Sequence, residues 1–566
     1  MSRLSVRLLS VGTFFAGAAL LLAQPALNGV WVLKVPRGDG TFRKTFYELK
    51  QDGQAVTLST MMPARPPAPP PAAAGRAGAP PAGAPQAGRG GGRGGPGGPI
   101  VATFASGKLR FEMAGRGRGG QNTQPPPPTV YEGSLAGAKF ELTISGGPAP
   151  NPRYASPTSA ILERSTREAF DIPRLPLPAL HNVKSNGLAK TPPMGWNSWN
   201  LFAGRVDDKL VREMADAMIT SGMKKAGYIY VNIDDTWEGE SRDAKGNMTT
   251  NTKFPNMKAL SDYVHSKGLK IGIYSSPGPT TCQQYEGSYG HEDQDAKTFA
   301  AWGIDYLKYD WCGASRVYGD EDMHAAYQKM GDALLKSGRP IVYSLCQYGR
   351  AKVWEWGPLV GGNLWRTTGD IGDRWNSMLN LGFGPSVPGG IRQPDQPAPP
   401  SLTQLDIAKD SNVGHWNDPD MLEVGNGGMT TDEYKTHFSM WSMLRSPLLA
   451  GNDIRSMSQE TKDILLNMEV IAIDQDPAAL PAKLVSREGT SDVIARPLKD
   501  KSTAVALFNR GDQPAKISVI WDALGLGGKK LTGRDLWRHE AVTLSGDRYS
   551  VEVPTHGVVL LKVSAK

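Results

Sequence analysis

The chain has 566 residues, of which 39% are hydrophobic and 21% are charged, and it contains 66 Gly and 44 Pro. Its length predicts several domains, and its Gly and Pro content exceeds that of a wholly compact protein. The formal charge of +8 would favour a nucleic-acid partner, but eight arginines in segments without acidic residues account for all of it, so we predict a neutral folded part that binds no nucleic acid.

The first 23 residues predict an export signal. Arg3 and Arg7 give a positively charged start, an apolar run extends from Val11 to Leu22, and Ala23 is a small residue suited to cleavage. A membrane anchor is the weaker alternative, because the run is shorter than the roughly 20 apolar residues that span a bilayer. We expect an exported protein, periplasmic or extracellular, with no membrane span after cleavage, and export permits a disulfide among its three cysteines.

Residues 24–165 predict a small all-β domain. Four segments alternate apolar and polar residues, which is the period of half-buried strands: Gly29–Lys34, Thr45–Leu49, Lys108–Glu112 and Lys139–Thr143. An insertion over residues 63–99 contains Pro, Ala, Gly and Arg together with a single glutamine, Gln86, so we expect it to be disordered. The Pro-rich residues 166–186 form a linker, and the role of the domain cannot be read from its sequence.

Residues 187–477 predict a catalytic (β/α)8 barrel. Short apolar runs alternate with amphipathic helical patterns such as Asp207–Lys225, and this alternation indicates a parallel sheet. The runs are Tyr228–Ile233, Leu269–Tyr274, Ile304–Tyr309, Pro340–Leu345, Asn363–Arg366 and Ser446–Ala450. Residues suited to chemistry follow at intervals that average about 36 residues, the size of one βα unit: Trp199, Asp234, Tyr274, Asp310, Cys346, Asp370, Asp420 and Asp453. Such strand ends form the active site of a barrel enzyme.

Residues 478–566 predict a C-terminal antiparallel β-sandwich. Short apolar runs return here, and turns rich in Gly, Asp and Asn separate them. The runs are Ala482–Ser486, Asp492–Ala495, Thr503–Phe508, Lys516–Ile520 and Gly557–Val563. No catalytic constellation is evident among these residues, so we assign the chemistry to the barrel.

The predicted strand ends favour a sugar site. Their carboxylates, which would repel one another unless a cation or a polar ligand shares the charge, are Asp234, Asp235, Asp310, Asp370, Asp418 and Asp420. The cations among them are Lys308 and Arg366. The flanking tryptophans are Trp196, Trp199, Trp237, Trp311 and Trp416. Sugars bind carboxylates through hydroxyls and stack their CH faces on indoles, although packing at the barrel mouth would explain about half of these tryptophans.

Five motifs extend this interpretation: Thr-Pro-Pro-Met-Gly-Trp-Asn-Ser-Trp-Asn at 191–200, Asn-Ile-Asp-Asp-Thr-Trp at 232–237, Lys-Tyr-Asp-Trp-Cys at 308–312, Trp-Arg-Thr-Thr-Gly-Asp at 365–370 and Trp-Asn-Asp-Pro-Asp-Met-Leu-Glu-Val-Gly at 416–425. From about Gly187 onward the chain thereby resembles glycoside hydrolase family 27, which contains α-galactosidases and α-N-acetylgalactosaminidases. The resemblance implies an exo-acting α-galactosidase that acts on α-galactoside oligosaccharides or polysaccharide side chains. An enzyme of this family needs no cofactor, and the eight histidines of the chain show no metal-binding spacing.

The resemblance also implies a retaining mechanism with two carboxylates. Asp310 would be the nucleophile, and Asp370 would serve as the acid and then as the base. Lys308, on the same strand face as Asp310, would keep it ionised and bind a sugar hydroxyl. Asp370, beside a less charged and Trp-lined part of the mouth, would have a raised pKa. Arg366 would hold a ring hydroxyl near the acid/base.

The remaining family positions concern the substrate. Asp234 and Asp235 match the aspartate pair that binds O4 and O6 of galactose, and Trp199 matches the aromatic platform beneath the ring. The other matching positions around the sugar are Tyr274, Cys282, Asp420 and Met421. Many members read Cys-Glu-Trp-Gly after the fifth strand, whereas this chain has Cys-Gln-Tyr-Gly at 346–349. Cys346 and Tyr348 would therefore line the 2-position, and the bulk of Tyr348 argues against an N-acetyl group.

Cys282 and Cys312 match family positions that form a disulfide, with two reduced thiols as the alternative, and Cys346 would be free at the pocket. Other substrates of the same family stay open: β-L-arabinopyranosides, α-N-acetylgalactosaminides and α-glucans cleaved internally. The barrel alone would also permit a lyase with a Schiff base on Lys308, or a sugar-binding protein without activity. The sequence does not indicate the oligomeric state.

Overall fold

The structure, a computed structural model, describes residues 26–62, 98–114, 127–148, 156–391 and 397–565. The predicted signal at residues 1–23 lies outside these ranges, as does the predicted insertion apart from Gly98 and Pro99. No helix in the described ranges has both the length and the apolar character that crossing a bilayer requires.

The N-terminal unit is all-β, as predicted, and forms a closed antiparallel barrel of eight strands. The strands are β1 (Gly29–Pro36), β2 (Phe42–Asp52), β3 (Ala55–Thr60), β4 (Ile100–Ala105), β5 (Lys108–Met113), β6 (Thr129–Ala136), β7 (Lys139–Gly146) and β8 (Ser159–Arg164). Each strand pairs with the next along the chain, and β1 pairs with β8 to close the barrel. β3 pairs directly with β4, with Leu58 opposite Ile100, so the insertion between them begins and ends at neighbouring positions.

Apolar side chains fill the interior of this barrel. In β5, Leu109 and Phe111 are buried whereas Lys108 is exposed, which is the alternation of a strand with one face inward. Across the interior, the rings of Trp31 and Phe140 lie 5.6 Å apart between centroids. The predicted period of these strands therefore produces a packed core inside and a polar surface outside.

The central unit alternates parallel strands with helices. Its strands are β9 (Met194–Asn197), β10 (Tyr230–Asn232), β11 (Lys270–Ser275), β12 (Tyr306–Asp310), β13 (Val342–Cys346), β14 (Leu364–Arg366), β15 (Trp416–Asp418) and β16 (Leu448–Ala450). A short helix, α1 (Arg167–Phe170), precedes the unit, and its own helices are α2 (Trp199–Phe202), α3 (Asp208–Thr220), α4 (Met223–Ala226), α5 (Met257–Ser266), α6 (Glu292–Trp302), α7 (Met323–Lys336), α8 (Val353–Trp356), α9 (Trp375–Phe383), α10 (Thr431–Leu444), α11 (Gln459–Leu465) and α12 (Met468–Asp474).

The eight parallel strands follow one another across the sheet. β9 to β15 lie in chain order, and β16 pairs with the free edge of β9. A parallel bridge between Leu422 and Ala450 joins the segment after β15 to β16. Because the strands are parallel, their carboxyl ends lie on one side of the sheet, and the residues that follow them meet there.

The helix predicted over Asp207–Lys225 is interrupted. The Asp207 side chain accepts a hydrogen bond from the Leu210 N–H at 2.7 Å and caps the start of α3. Ser221 and Gly222 then separate α3 from α4, and Gly222 has a φ of 90°, which glycine adopts without strain. The apolar spacing continues across this break, so periodicity alone predicted a single helix.

The C-terminal unit consists of two antiparallel sheets, as predicted. Its strands are β17 (Lys483–Glu488), β18 (Ser491–Pro497), β19 (Thr503–Asn509), β20 (Ala515–Ile520), β21 (Leu531–Asp535), β22 (Glu540–Val542), β23 (Arg548–Val553) and β24 (Val558–Ala565). One sheet has the order β17-β18-β19-β24-β21-β22, and the other pairs β20 with β23. Val505 and Leu507 from the larger sheet share a core with Ile517 and Val519 from the smaller one.

The central strands of the larger sheet, β18, β19 and β24, are buried on their second face as well. There they pack against the central unit, where Phe508 of β19 meets Phe383 of α9 edge-on with ring centroids 5.0 Å apart. Every residue from Ala504 to Asn509 is buried. Strands covered on both sides have nearly continuous apolar runs, which explains why β19 lacks the alternation seen in the N-terminal barrel.

Arg445 connects three segments at the end of α10. Its side chain is fully buried, and its guanidinium donates hydrogen bonds to the backbone carbonyls of Ala479, Ala408 and Ser411. Burial lowers the pKa of Arg445 to about 10, with a smaller contribution from the nearby Arg496, so the group stays charged at neutral pH. It therefore ties the connection to the C-terminal unit onto the parallel sheet.

We expect Arg445→Met to lower the free energy of unfolding by about 3 kcal/mol, because three backbone carbonyls lose a charged donor. Urea unfolding followed by tryptophan fluorescence measures the change. Arg538→Met is the control: its side chain is 67% exposed and lies 3.9 Å from Asp535, so a change within about 0.5 kcal/mol is expected. Equal losses in the two variants would contradict this role of Arg445.

Candidate active site

A cavity of about 360 Å³ lies at the carboxyl ends of the parallel strands. All but one of the residues assigned to catalysis or to contacts with the sugar line it, namely Trp199, Asp234, Asp235, Tyr274, Cys282, Lys308, Asp310, Tyr348, Arg366, Asp370, Asp420 and Met421. Cys346 is the exception. It ends β13 fully buried beside Arg366, with its Sγ 3.8 Å from a guanidinium nitrogen.

Asp310 is the last residue of β12 and is 3% exposed. The Tyr348 hydroxyl donates a hydrogen bond of 2.8 Å to its Oδ1. Burial raises the pKa of Asp310, and the charge of Asp370 adds to the rise, whereas Lys308 and the Tyr348 hydrogen bond lower it. The carboxylate is therefore held by one hydroxyl and one nearby cation while the protein withdraws it from water.

Lys308 forms a buried ion pair with Asp234, with 2.8 Å between Nζ and Oδ2. Burial opposes its charge, but Asp234 and Asp310 hold the pKa of Lys308 well above its usual value. Asn197 donates a further hydrogen bond of 2.9 Å to the same Asp234 oxygen. An ammonium that is protonated at neutral pH is not a nucleophile, so this environment argues against the Schiff-base alternative.

Asp235 is 1% exposed and accepts a hydrogen bond of 2.8 Å at Oδ2 from the backbone N–H of Gln283. Its Oδ1 has no hydrogen-bond partner among the described residues. Burial raises the pKa of Asp235 to about 7, and the neighbouring Asp234 and Asp310 add to the rise. A buried acceptor that lacks a partner and lines a cavity is suited to a ligand that donates a hydroxyl.

Arg366 ends β14 and holds two carboxylates. A guanidinium nitrogen lies 2.9 Å from Oδ2 of Asp420 and 3.2 Å from Oδ1 of Asp370. Burial raises the pKa of Asp420 to about 6, although Arg366 opposes the rise. Asp370 differs from the other carboxylates because 67% of its side chain is exposed, which places it at the rim.

The surroundings of Asp370 differ from the prediction. We expected a less charged, Trp-lined part of the mouth, and the structure instead places the carboxylate beside Arg366. The cause is local, because the turn after β14 brings Asp370 back over the residue four positions earlier.

The tryptophans around the predicted mouth divide into two groups. Trp199 lines the cavity. The others are fully buried within the fold: Trp196, Trp237 and Trp416 donate their indole N–H to backbone carbonyls, and Trp311 stacks on Tyr327. We expected packing to explain about half of these tryptophans, and it explains four of the five. Strand ends in a closely packed sheet also require large apolar residues.

Three residues beside the cavity have an unusual backbone conformation. Thr236, Tyr348 and Asp420 have positive φ angles of 89°, 62° and 110°, a conformation that non-glycine residues rarely adopt. Each lies in the segment directly after a strand of the parallel sheet. Strain at functional sites persists where surrounding contacts hold the backbone in place, and here the buried hydrogen bonds of the cavity do so.

Cys282 and Cys312 form a disulfide, which confirms the predicted pairing, and Cys346 is a free buried thiol. The bridge joins the loop after β11 to the segment just after Asp310. Among the described residues, Cys282, Asp310 and Cys312 are close enough together to hold a metal ion, but sulfurs in a disulfide lack the thiolate charge that ligation requires. This cluster therefore does not suit a metal.

Several cavity residues were not predicted: Asn200, Leu201, Gln283, Ile371, Gly372, Asp373, Glu423 and Asn426. Glu423 is the most buried carboxylate among them, and it accepts hydrogen bonds from the amides of Asn200 and Asn426 at 2.7 and 2.5 Å. Burial raises its pKa to about 7. A signal was present for Glu423 and for Asn200, which lie within the motifs at 416–425 and 191–200, whereas the other six residues lie outside the motifs.

Comparisons with known proteins find α-galactosidases. The family described as "Alpha galactosidase A" matches residues 191–476, and "Alpha galactosidase C-terminal beta sandwich domain" matches residues 488–563. The chain is 46% identical to the α-galactosidase of Cyamopsis tetragonoloba over 378 residues, which are 66% of this chain and 86% of that protein. It is 45% identical to α-galactosidase A of Cellvibrio japonicus (strain Ueda107) over 396 residues, 68% and 94% of the two chains. Among solved structures, α-galactosidase I from Mortierella vinacea has a TM-score of 0.61 and 37% identity, covering 68% of this chain and 99% of that chain.

We predict that Tyr348→Phe raises the pKa of Asp310, because it removes a hydrogen bond that stabilises the ionised form. The acidic limb of kcat/KM against pH should move to higher pH, and kcat/KM at neutral pH should fall about tenfold. Rates with p-nitrophenyl α-galactoside, the substrate type that the resemblance implies, measure both effects.

Tyr343→Phe is the matched control for this prediction. Its hydroxyl lies on β13, a few residues before Tyr348, but donates to the backbone carbonyl of Tyr327 at 3.0 Å. The profile of this variant should coincide with that of the wild type. An acidic limb that moves equally in both variants would show that Tyr348 does not act on Asp310.

Proposed function

This chain belongs to the α-galactosidase family, glycoside hydrolase family 27, and hydrolyses α-galactosides, and we propose that it releases terminal α-D-galactosyl residues by double displacement between Asp310 and Asp370. One observation carries the proposal: a buried carboxylate, held by Tyr348 and Lys308, shares a cavity with an exposed carboxylate at its rim. Retaining enzymes need such a pair roughly 5 to 5.5 Å apart, one to attack and one to transfer protons.

In the first step, the Asp310 carboxylate attacks the anomeric carbon and forms a covalent galactosyl ester. The glycosidic C–O bond breaks, and Asp370 gives its proton to the departing oxygen. Burial removes water from Asp310 and thereby favours attack, since the hydration of the anion does not have to be stripped away during the reaction. Proton transfer requires Asp370 to be protonated, and bound substrate must displace it from Arg366 or shield the two groups from each other.

In the second step, Asp370 acts as a base. It takes a proton from water, whose oxygen attacks the anomeric carbon while the bond to Asp310 breaks. The two displacements occur from opposite faces of the ring, so the galactose released has the configuration of the substrate. The exposed position of Asp370 suits this step because both the departing aglycone and the incoming water pass the rim.

We assign the sugar contacts to side chains that line the cavity. We assign the 4- and 6-hydroxyls to Asp234 and Asp235, and the buried Oδ1 of Asp235, which has no hydrogen-bond partner among the described residues, supports this assignment. Trp199 would support the apolar face of the ring at the cavity wall. Tyr348 occupies the side of the cavity next to Asp310, where its bulk would oppose an N-acetyl substituent. Oligosaccharides and polysaccharide side chains that end in α-galactose are the substrates proposed.

The supporting architecture is proposed to be a (β/α)8 barrel. The chain order of eight parallel strands and the bridge between Leu422 and Ala450 support closure of the sheet. Closure would explain why residues from strands that lie far apart in the sequence, such as Asp234 and Asp370, line a single cavity.

We also propose that the protein is exported. The charged start, apolar run and small residue within positions 1–23 support a cleaved signal, and the Cys282–Cys312 disulfide is typical of proteins that fold in oxidising compartments. Amino-terminal sequencing of the protein from periplasm and culture medium tests this. Recovery of the protein from the cytoplasm with an intact start would contradict export.

We expect the two carboxylates to give different azide products. Asp310→Ala should lose activity on every galactoside, and azide should restore turnover with formation of the inverted β-galactosyl azide, because the anion occupies the vacated space. Asp370→Ala should retain a rapid first step with a dinitrophenyl galactoside, whose leaving group needs no proton, and azide should give the retained α-galactosyl azide. Burst kinetics and NMR of the products measure both outcomes.

Asp406→Ala, at an exposed aspartate outside the cavity, should leave rates and product unchanged. Exchange of the two azide products between the catalytic variants would reverse the roles assigned to Asp310 and Asp370. Inverted galactose from the wild type would exclude double displacement altogether.

A further inference from the structure

The N-terminal barrel reaches the active site through the tip of its first hairpin. This tip, residues 37–41 between β1 and β2, lies against the loop that follows β11. One guanidinium nitrogen of Arg37 donates hydrogen bonds to the backbone carbonyls of Gln283 and Gln284, at 2.6 and 3.2 Å. The contact therefore joins residues that lie 246 and 247 positions apart in the chain.

Arg37 is itself held rigidly. Its other terminal nitrogen donates to the carbonyl of Phe42 at 2.9 Å and to the Thr41 hydroxyl at 3.3 Å. Its guanidinium carbon lies 4.0 Å from the centroid of the Tyr285 ring. A guanidinium fixed by hydrogen bonds on both sides and stacked on an aromatic ring has little freedom to move, so it can hold the carbonyls that it contacts in place.

Asp39 provides a second contact between the tip and the same loop. It is 3% exposed, and its Oδ2 accepts a hydrogen bond of 2.5 Å from the Tyr285 hydroxyl. Its Oδ1 accepts from the N–H of Thr41 at 3.0 Å, which shapes the tip. Tyr285 is thereby held by the Arg37 guanidinium at its ring face and by Asp39 at its hydroxyl.

A single residue of this loop, Gln283, contacts both the hairpin tip and the sugar site. The carbonyl of Gln283 accepts from Arg37, while its N–H donates to Oδ2 of Asp235 at 2.8 Å. The adjacent Cys282 is fixed by its disulfide, and Gln283 and Asp235 both line the cavity. The hairpin and the carboxylate that faces the sugar therefore bind the same short stretch of backbone.

We propose that the tip at residues 37–41 is a positioning element of the active site, in which Arg37 and Asp39 hold the loop after β11 so that Gln283 fixes Asp235 for sugar binding. The N-terminal barrel thereby completes the sugar site, although none of the described barrel residues lines the cavity. The inference rests on the proposed role of Asp235 in binding the substrate.

Docking of the barrel involves a separate contact nearby. Lys44 pairs with Glu240 at 2.5 Å, and the N–H of Phe42 donates to the same side chain at 2.8 Å. This contact joins the two units without involving residues 281–285. It allows domain attachment and loop positioning to be disturbed separately.

The experiment is a double-mutant cycle on Arg37 and Asp235. KM and kcat for p-nitrophenyl α-galactoside are measured for Arg37→Met, Asp235→Asn and the double variant. We expect Arg37→Met to raise KM about tenfold with a much smaller effect on kcat, because binding weakens equally in the ground and transition states. In the Asp235→Asn background the same substitution should change KM less than about twofold, since the two residues act on one interaction.

Three further variants separate positioning from folding. Lys44→Met, which breaks the docking contact, should leave KM unchanged. Arg37→Lys should give an intermediate KM, because an ammonium keeps the charge but lacks the planar fork. Tyr285→Phe should raise KM by removing the hydroxyl bound to Asp39, and thermal unfolding should show that each variant is folded.

The outcomes distinguish the two proposals. If Asp235→Asn raises KM and Arg37→Met does not, or if their effects multiply, the positioning role of the hairpin is wrong while the sugar-binding role stands. If Asp235→Asn leaves KM unchanged, the proposed role of Asp235 fails, and the inference fails with it. If Lys44→Met raises KM as much as Arg37→Met does, sugar binding depends on docking of the barrel and not on the contact between Arg37 and the loop after β11.

Discussion

Crowded negative charge is the constraint on which the active site depends. The carboxyl ends of the parallel strands bring several buried aspartates into one cavity, and two cations offset them. Lys308 is committed to Asp234, and Arg366 is shared by Asp420 and Asp370. The nucleophile proposed here is left with a hydroxyl as its direct hydrogen-bond partner. A carboxylate without a direct ion pair can approach a bound sugar without first breaking one, which suits the attack proposed for Asp310.

The same crowding requires a rigid backbone. Like charges move apart when the chain allows it, so the segments after the strands must be held from outside. The disulfide anchors the loop after β11 to the segment beyond Asp310, and the left-handed residues at 236, 348 and 420 show how tightly these segments turn. The hairpin of the N-terminal barrel adds a further support on the same side of the cavity. These supports come from distant parts of the sequence but restrain one small volume.

The sequence predicted the parts of this structure that local patterns determine. Strand-ending motifs placed most of the cavity residues correctly because a parallel sheet aligns the ends of its strands. Periodicity failed where backbone conformation overrode it, at Gly222, which interrupts a helix without changing the apolar spacing. The contact between Arg37 and Gln283 could not be predicted, because neither residue lies in a motif and the contact depends on how two domains pack.

The direct pairing of β3 with β4 lets the barrel tolerate changes in the length of the segment that connects them. Because Leu58 and Ile100 are paired directly, the barrel register is fixed whatever number of residues connects the two strands. The entropic cost of closing a loop grows only logarithmically with its length, so repeat expansion and contraction in this Gly- and Pro-rich tract cost the barrel little. The connection between β3 and β4 is thus a suitable insertion point for a fused peptide or a second module.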